Sequence, residues 1–417
     1  MNISPTRNKI YFSAYIGILL LYLKLFFIQP VFSFEGVEVT FSLLLMLLVL
    51  VRVVFKLTIL HVNVFGDNKS AKLFWVFVLV STVSSFFLAP EIASGVVTVN
   101  FQLFLIYLVF IDFKSISINA LGLQKVIKAL VYFAILNALL VMYTFFFGKI
   151  GLVGEVSEGA SITRAFGLMG DQVAWFLSFF AIHALYNGKK YHYVLFLTAI
   201  LMGASLGAIL VLIIATLIYF IKEKRTTPSF YIKVGFSILI FIMVLLSASS
   251  IFNKIGILQR INEGDFAGIE SRTTGHRYEA IFHSLENIAE KPLWGYHNYS
   301  LTMFIKYDNL LSETEKGKLT YLTTPNNQIL AVLSDYGLIG LLFFVFFIYS
   351  LIKIVRKKCV SMPPYLYAFK QSALIWLIIF IIFNQSATWF LPGSFLWILI
   401  CIIIGISYKI NKLNDIK

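Results

Sequence analysis

Apolar runs long enough to cross a bilayer recur along almost the whole of this chain, and no other feature constrains its fold as strongly. A backbone surrounded by hydrocarbon must close its own hydrogen bonds, which a helix does over about 20 residues per crossing. Counting such runs gives about twelve spans, over residues 10–28, 39–55, 73–89, 97–113, 127–147, 171–187, 193–204, 206–221, 231–250, 337–355, 369–387 and 392–409. Only 13% of residues are charged and 59% are hydrophobic, whereas soluble domains hold roughly a quarter charged residues. A single soluble core is excluded. The expected fold class is an all-α polytopic membrane protein, with nine spans in residues 1–250, a long loop at 251–324 and three more spans in 325–417.

Runs 193–204 and 206–221 form one apolar stretch interrupted at "MGASLGA", where Gly203, Ser205 and Gly207 permit a turn. The first run follows Arg7 and Lys9 in the manner of a signal peptide, yet no small-residue cleavage site ends it, so it reads as a retained helix. Cys359 and Cys401 fall in a basic loop and an apolar run, and no disulfide or metal framework follows from them.

Charge sets the expected orientation, because cytoplasmic loops accumulate Lys and Arg. With both termini inside, the inner segments collect Arg7 and Lys9, Arg52 to Lys72, Lys114 to Lys128, Lys189 and Lys190, Lys222 to Lys233, Lys353 to Lys370, and Lys409 to Lys417. The short outer loops keep only Lys149 and Arg164. The net charge of +14 is then mostly topology, and it calls for no nucleic-acid partner. The same rule puts the loop at 251–324 on the outer face, and loops of that length are usually functional. Within it, "GHRYEAIFHSLENIAEKPLWGY" spaces Tyr278, Ile281, Phe282, Leu285 and Ile288 at helical intervals until Pro292 stops the pattern. That pattern predicts an amphipathic helix at the membrane surface.

No zinc spacing, phosphate-cradling glycine loop, nucleotide fingerprint or serine-hydrolase elbow is present. Since the only large extramembrane segment is outside, any chemistry must use a substrate already activated and delivered in the membrane. The outer face supplies Arg164, Arg260, Arg272 and Arg277. Guanidinium stays charged in an apolar surround and grips phosphate oxygens through two parallel hydrogen bonds. The competing reading is a solvated arginine, or one paired with a neighbour such as Glu263, Glu270 or Glu279.

Three stretches carry a family resemblance: "RAFGLMGDQVAW" with Arg164 and Gly167, "RYEAIFHSLENIAEKPLWGY" with Arg277, Pro292 and Gly295, and "TTPNNQILAVLSDYGLIG". In their order and placement the chain resembles the O-antigen polymerase and O-antigen ligase superfamily, membrane glycosyltransferases acting on undecaprenyl-diphosphate-linked glycans. In that family the last stretch reads His, then Asn, Ser or Gln, nine residues, Gly, two residues, Gly. Asn327, Gly337 and Gly340 keep this register, but Asn326 stands where the histidine would be. Leu206 likewise replaces the arginine of the family's Ser-Arg turn. An amide cannot accept a proton at neutral pH, so the Asn326 departure favours the polymerase branch over the ligase.

The resemblance implies a multi-helix, GT-C-like glycosyltransferase fold in a bacterial inner membrane. It implies transfer of a glycan from one undecaprenyl diphosphate carrier onto a second lipid-linked repeat unit at the periplasmic face, with inversion at the anomeric carbon and no metal. A chain-length regulator is an implied partner. Arg164 and Arg277 would act on the diphosphate, and Arg260 and Arg272 would assist in binding it. The base that deprotonates the acceptor stays open among Asp171, Asp335 and His297, each with a blander reading: a helix-start acid, an anchor for a loop arginine, and an exposed loop histidine. Asn326 and Asn327 would orient sugar hydroxyls, or cap the helix after Pro325. Gly337 and Gly340 would let the backbone pass close to a neighbouring helix or to the glycan. Among ionisable groups within spans, Lys24 reads as a snorkelling residue and His183 as a packing residue. Two other functions remain open at this point: a ligase joining finished glycan to lipid A core, and a lipid-linked sugar flippase or transporter, although the chain shows no repeated halves.

Overall fold

A helix in lipid begins where a cap or a charge meets an apolar run and ends at the next Gly, Pro or cluster of bases, and this chain follows that grammar. A computed structural model describes residues 32–34, 37–39, 41–58, 68–88, 93–115, 118–148, 156–157, 164–165, 172–203, 205–223, 275–296, 327–359, 362–383 and 395–415. Among these, the helices are α1 (Phe41–Thr58), α2 (Lys69–Leu88), α3 (Ala93–Ser115), α4 (Ala120–Phe147), α5 (Val173–Tyr186), α6 (Lys190–Met202), α7 (Leu206–Glu223), α8 (Gly275–Glu290), α9 (Gln328–Arg356), α10 (Pro364–Phe383) and α11 (Phe395–Asp415). Two antiparallel hairpins accompany them: β1 (Phe32–Phe34) with β2 (Val37–Val39), and β3 (Val156–Ser157) with β4 (Arg164–Ala165). Each expected apolar run that falls among the described residues coincides with a helix. Runs 10–28 and 231–250, with Lys24, lie outside them.

Lys69–Phe87, Ala120–Phe147, Gln328–Arg356, Pro364–Ile382 and Leu396–Asp415 are long and apolar enough to cross a membrane. Val173–Tyr186, Lys190–Met202 and Gly207–Ile221 are apolar but shorter. The chain is a helical membrane protein. It divides into two compact units.

The first unit holds Met1–Ile28, Leu121–Gly268 and Met362–Phe383. At its centre α5 is apolar around its whole circumference, and Val173 to Ala184 are buried without a break, as that pattern demands. α6, α7 and α10 pack around it, and Phe133 of α4 meets Phe176 edge-on at 5.9 Å. A polar tie is Trp376 Nε1 of α10 donating to Ser178 Oγ of α5 at 2.8 Å, beside the stacked pair Trp376 and Phe380. His183 packs between the rings of Tyr365 and Phe369. The turn expected at "MGASLGA" separates α6 from α7: α6 ends at Met202, Gly203 caps it, and α7 starts at Leu206.

The second unit holds Gln29–Ala120, Ile269–Ser361 and Asn384–Lys417. α3 and α11 form its core in parallel. Trp397 Nε1 donates to the Leu103 carbonyl at 3.3 Å, and Gly405 lies against the ring of Phe113, where a Cβ would come within 3.0–3.2 Å of it. α9 also runs parallel to α11, with Asn411 Nδ2 donating to the Ile354 carbonyl at 2.7 Å. α2 runs the other way, with Phe74 stacked on Phe347 at 4.7 Å and Asn68 Nδ2 donating to Ser350 Oγ at 3.0 Å. These directions gather Arg52, Lys56, Lys69, Lys72, Lys114, Lys353, Arg356, Lys409 and Lys412 at one end of the unit. The first half of α9 and the whole of α8 lie toward the other end.

Candidate functional site

α9 begins earlier than its apolar run. Asn327 has an extended backbone (φ −140°, ψ 116°), and its side-chain oxygen accepts from the amides of Ile329 at 3.0 Å and Leu330 at 3.1 Å. That cap satisfies two of the orphan donors of a helix start. Nine residues later the helix breaks. Gly337 adopts φ 65°, ψ −170°, a region essentially reserved for glycine, and the chain resumes as helix at Leu338.

The break is filled by the loop that ends α8. In an unbroken helix the Leu338 amide would bond to the Ser334 carbonyl. Here Leu338 N donates to Pro292 O at 2.8 Å, and Ser334 O accepts instead from Tyr296 N at 2.8 Å. Ile339 N adds a bond to Leu293 O at 3.3 Å. The segment from Pro292 to Tyr296 thus sits in the opened rung of α9, where it gives partners to Leu338 N, Ile339 N and Ser334 O, as buried backbone requires. Such an approach excludes side chains at the crossing. A Cβ on Gly295 (φ 69°) would lie 2.5 Å from Gly337 N, and one on Gly337 would collide with the carbonyl of Leu293 and come 2.5 Å from Trp294 N. One turn later Gly340 allows a close approach to α2: its Cβ would strike that of Tyr336 and lie 2.8 Å from Phe77 Cε1. Beneath the kink the buried Tyr336 hydroxyl donates to Asn100 Oδ1, and Asn100 Nδ2 donates to Thr82 Oγ1 at 2.8 Å. This network ties α9 to α3 and α2.

The expected surface helix is α8, and Pro292 lies just beyond its end. Its face toward α9 is polar at heart: Ser284 is fully buried and Asn287 nearly so, flanked by the half-buried Ile281 and Ile288. Phe282 and Leu285 are 64% and 47% exposed, as are Leu293 and Trp294 in the following loop at 52% and 57%. This is the pattern of a helix that turns polar groups to protein and apolar groups to lipid. Arg277 lies in the first turn of α8. At the other end, the Tyr296 hydroxyl donates to Glu290 and the Lys291 ammonium lies 4.2 Å from the Tyr296 ring centroid. Burial and the Glu290 carboxylate push the Tyr296 phenol up to about 12, so it remains a neutral donor at physiological pH.

Arg277, Asn327, Asp335, Gly337 and Gly340 all belong to the second unit, with Asp335 half-buried in the last turn before the kink. Arg164 belongs to the first unit, where β4 pairs it with Ser157 of β3. Asp171, Arg260, Arg272, His297 and Asn326 lie outside the described residues. Among the described residues no group of three or more His, Cys, Asp or Glu could hold a metal ion. Sequence reasoning missed Ser334, Tyr336, Asn100 and the carbonyls of Pro292 and Leu293. For Asn100 the signal was available as an amide within an apolar run; for the backbone carbonyls there was none.

Residues 192–345 match the family model described as O-Antigen ligase. This match supports the resemblance of that segment to the O-antigen polymerase and ligase superfamily. The matched segment includes α8, the Gly337 junction, Arg260, Arg272, Arg277 and His297, and it leaves out Arg164 and Asp171. A search of curated proteins returned no match.

Proposed function

We propose that this protein is a polysaccharide polymerase of the bacterial inner membrane, transferring an undecaprenyl-diphosphate-linked glycan onto a second lipid-linked repeat unit at the periplasmic face. The observation that carries the reading is the junction itself. Two stretches that resemble the superfamily independently, 277–296 and 323–340, join through backbone hydrogen bonds at Gly337, at the end of their unit opposite its basic residues. From Gly337 to Arg356 the helix rises about 28 Å at 1.5 Å per residue, close to the thickness of the hydrocarbon. With the basic end inside, the junction and α8 stand at the outer surface.

The chemistry follows from the groups present. An acceptor hydroxyl oxygen attacks the anomeric carbon of the donor, the bond from that carbon to the diphosphate oxygen breaks, and the lipid diphosphate leaves with the electron pair. Arg277 neutralises the departing oxygens, so no strong general acid is required. Arg164 remains a second candidate cation on its sequence argument, with Arg260 and Arg272 as auxiliary contacts. The hydroxyl proton passes to a base among Asp335, Asp171 and His297; Asp335 is the one whose position beside the kink is described. Asn327 commits its side-chain oxygen to the cap, so it meets a sugar through its NH2 group, as a donor. The exposed Phe282, Leu285, Leu293 and Trp294 fit the headgroup boundary beside the polyprenyl chain. A chain-length regulator completes the proposed machinery.

The ligase reading is disfavoured by Asn326 in the histidine position, because the amide cannot take a proton. Deleting the gene separates the possibilities. Loss of a polymerase leaves a single repeat on the lipid A core, loss of a ligase leaves bare core with lipid-linked polymer accumulating, and loss of a flippase strands repeats inside.

A further inference from the structure

The turn that fills the opened rung of α9 carries an exposed aromatic ring on a pinned backbone. Trp294 is 57% exposed, although the chain on either side of it is tied down: Gly295 N donates to Lys291 O at 3.1 Å, Leu293 O accepts from Ile339 N, and Tyr296 N donates to Ser334 O. Behind the indole lies the buried Phe77 of α2, nearly parallel to it (12°) with ring centroids 6.4 Å apart. Phe77 is itself held by the rings of Tyr336 and Phe343. A ring backed on one side by protein and fixed at its base offers its other face to a ligand at little cost in ordering.

The groups beside the indole say what that face meets. Glu290 and Lys291, both exposed, and the half-buried Tyr296 stand within four residues of Trp294, and they supply a carboxylate acceptor, an ammonium donor and a phenol. A hydrocarbon chain makes no use of such groups. A sugar uses both kinds, laying its C–H face on an aromatic ring and taking hydrogen bonds at its hydroxyls. The turn also touches the Gly337 site. A Cβ on Gly337 would lie 2.5 Å from Trp294 N, and one on Gly295 would lie 2.7 Å from the carbonyl carbon of Asp335, so the ring is carried by backbone packed directly on the candidate base. We propose that Trp294 is the stacking platform for the sugar bonded to the carrier's diphosphate, with Glu290 and Lys291 as partners for its hydroxyls. At the headgroup boundary that sugar is the first ring beyond the lipid. The assignment rests on the glycan reading of the Gly337 site and gives that site its sugar contact.

The full-length protein in detergent, held on ice with equal amounts of undecaprenyl diphosphate and the undecaprenyl-diphosphate-linked single repeat and observed by native mass spectrometry, tests the assignment without requiring turnover. Wild type is expected to retain the glycan-bearing carrier preferentially. Trp294→Leu keeps an apolar side chain for lipid but removes the ring, and should lower that preference about fivefold, the size of one aromatic stacking contact; Trp294→Phe should keep most of it. Glu290→Ala, which removes an exposed acceptor outside the core, is the second variant and should lower the preference as well. Equal retention of the two carriers by wild type, or a preference in Trp294→Leu as large as in Trp294→Phe, overturns the proposal, the latter outcome making the ring a lipid contact. A preference that depends on Trp294 in a protein that builds no ladder of repeats would keep the sugar contact and remove the polymerase. A ladder without that dependence would do the reverse.

Discussion

Replacing Gly337 by alanine should detach the α8 loop from α9 while leaving both helices formed. Two costs combine at this position. Holding a residue with a Cβ at φ 65°, ψ −170° costs about 1–3 kcal/mol. The added carbon also meets the Leu293 carbonyl and the Trp294 amide, backbone atoms that cannot rotate away, and overpacking of this kind costs about 1–3 kcal/mol. The expected local destabilisation is therefore about 2–6 kcal/mol. Gly188→Ala is the internal control: Gly188 also has positive φ (68°), but nothing lies within 4 Å of its would-be Cβ, so only the backbone cost of about 1–2 kcal/mol applies. Hydrogen exchange of the protein in lipid nanodiscs reads the difference directly. The amides of Tyr296, Leu338 and Ile339 report the junction, and about 1.4 kcal/mol is a tenfold change in their protection. Gly337→Ala should accelerate their exchange by well over tenfold, with the middle of α9 unchanged. If these amides exchange in Gly337→Ala as they do in wild type or in Gly188→Ala, the loop does not occupy the rung.

The remaining expectations concern neighbouring groups. Asn327→Ala removes the α9 cap and should cost about 0.5–2 kcal/mol, read as faster exchange at Ile329 and Leu330, with Asn327→Ser restoring most of it. Tyr336→Phe leaves Asn100 Oδ1 without the hydroxyl that donates to it, which should lower thermal stability by about 1–3 kcal/mol; an unchanged melting temperature would remove the network beneath the kink from the account. Arg277→Ala and Arg164→Ala should each insert normally and abolish long glycan chains, and a normal ladder from either variant would end the diphosphate role of that residue.

Much of the helical scaffold was legible because hydropathy, glycine and proline act locally. The α6 to α7 break at Gly203 and the end of α8 before Pro292 follow from single residues whose effect on the backbone needs no tertiary context. The start of α9 was less legible. Residues 328–336 carry the buried Gln328 and Ser334, and polar residues that bury in protein do not enter a count of apolar runs. Gly337 and Gly340 were readable as sites of close approach, but that Pro292 to Tyr296, more than thirty positions away, would be what approaches Gly337 depends on how α8 folds back on α9. The packing face of α8 was hidden for a different reason. Periodicity marks Phe282 and Leu285, yet beside a membrane the apolar stripe is free to face lipid, and Ser284 and Asn287 take the protein side.

The central claim, that this chain lengthens lipid-linked glycans, is tested most directly with the purified protein in a bilayer supplied only with an undecaprenyl-diphosphate-linked single repeat. The account predicts a ladder of two, three and more repeats on the carrier, with lipid diphosphate released at each step and no ladder from Arg277→Ala. It is contradicted if single repeats persist unextended while preformed polymer is passed to added lipid A core, or if repeats cross the bilayer with no glycosidic bond made.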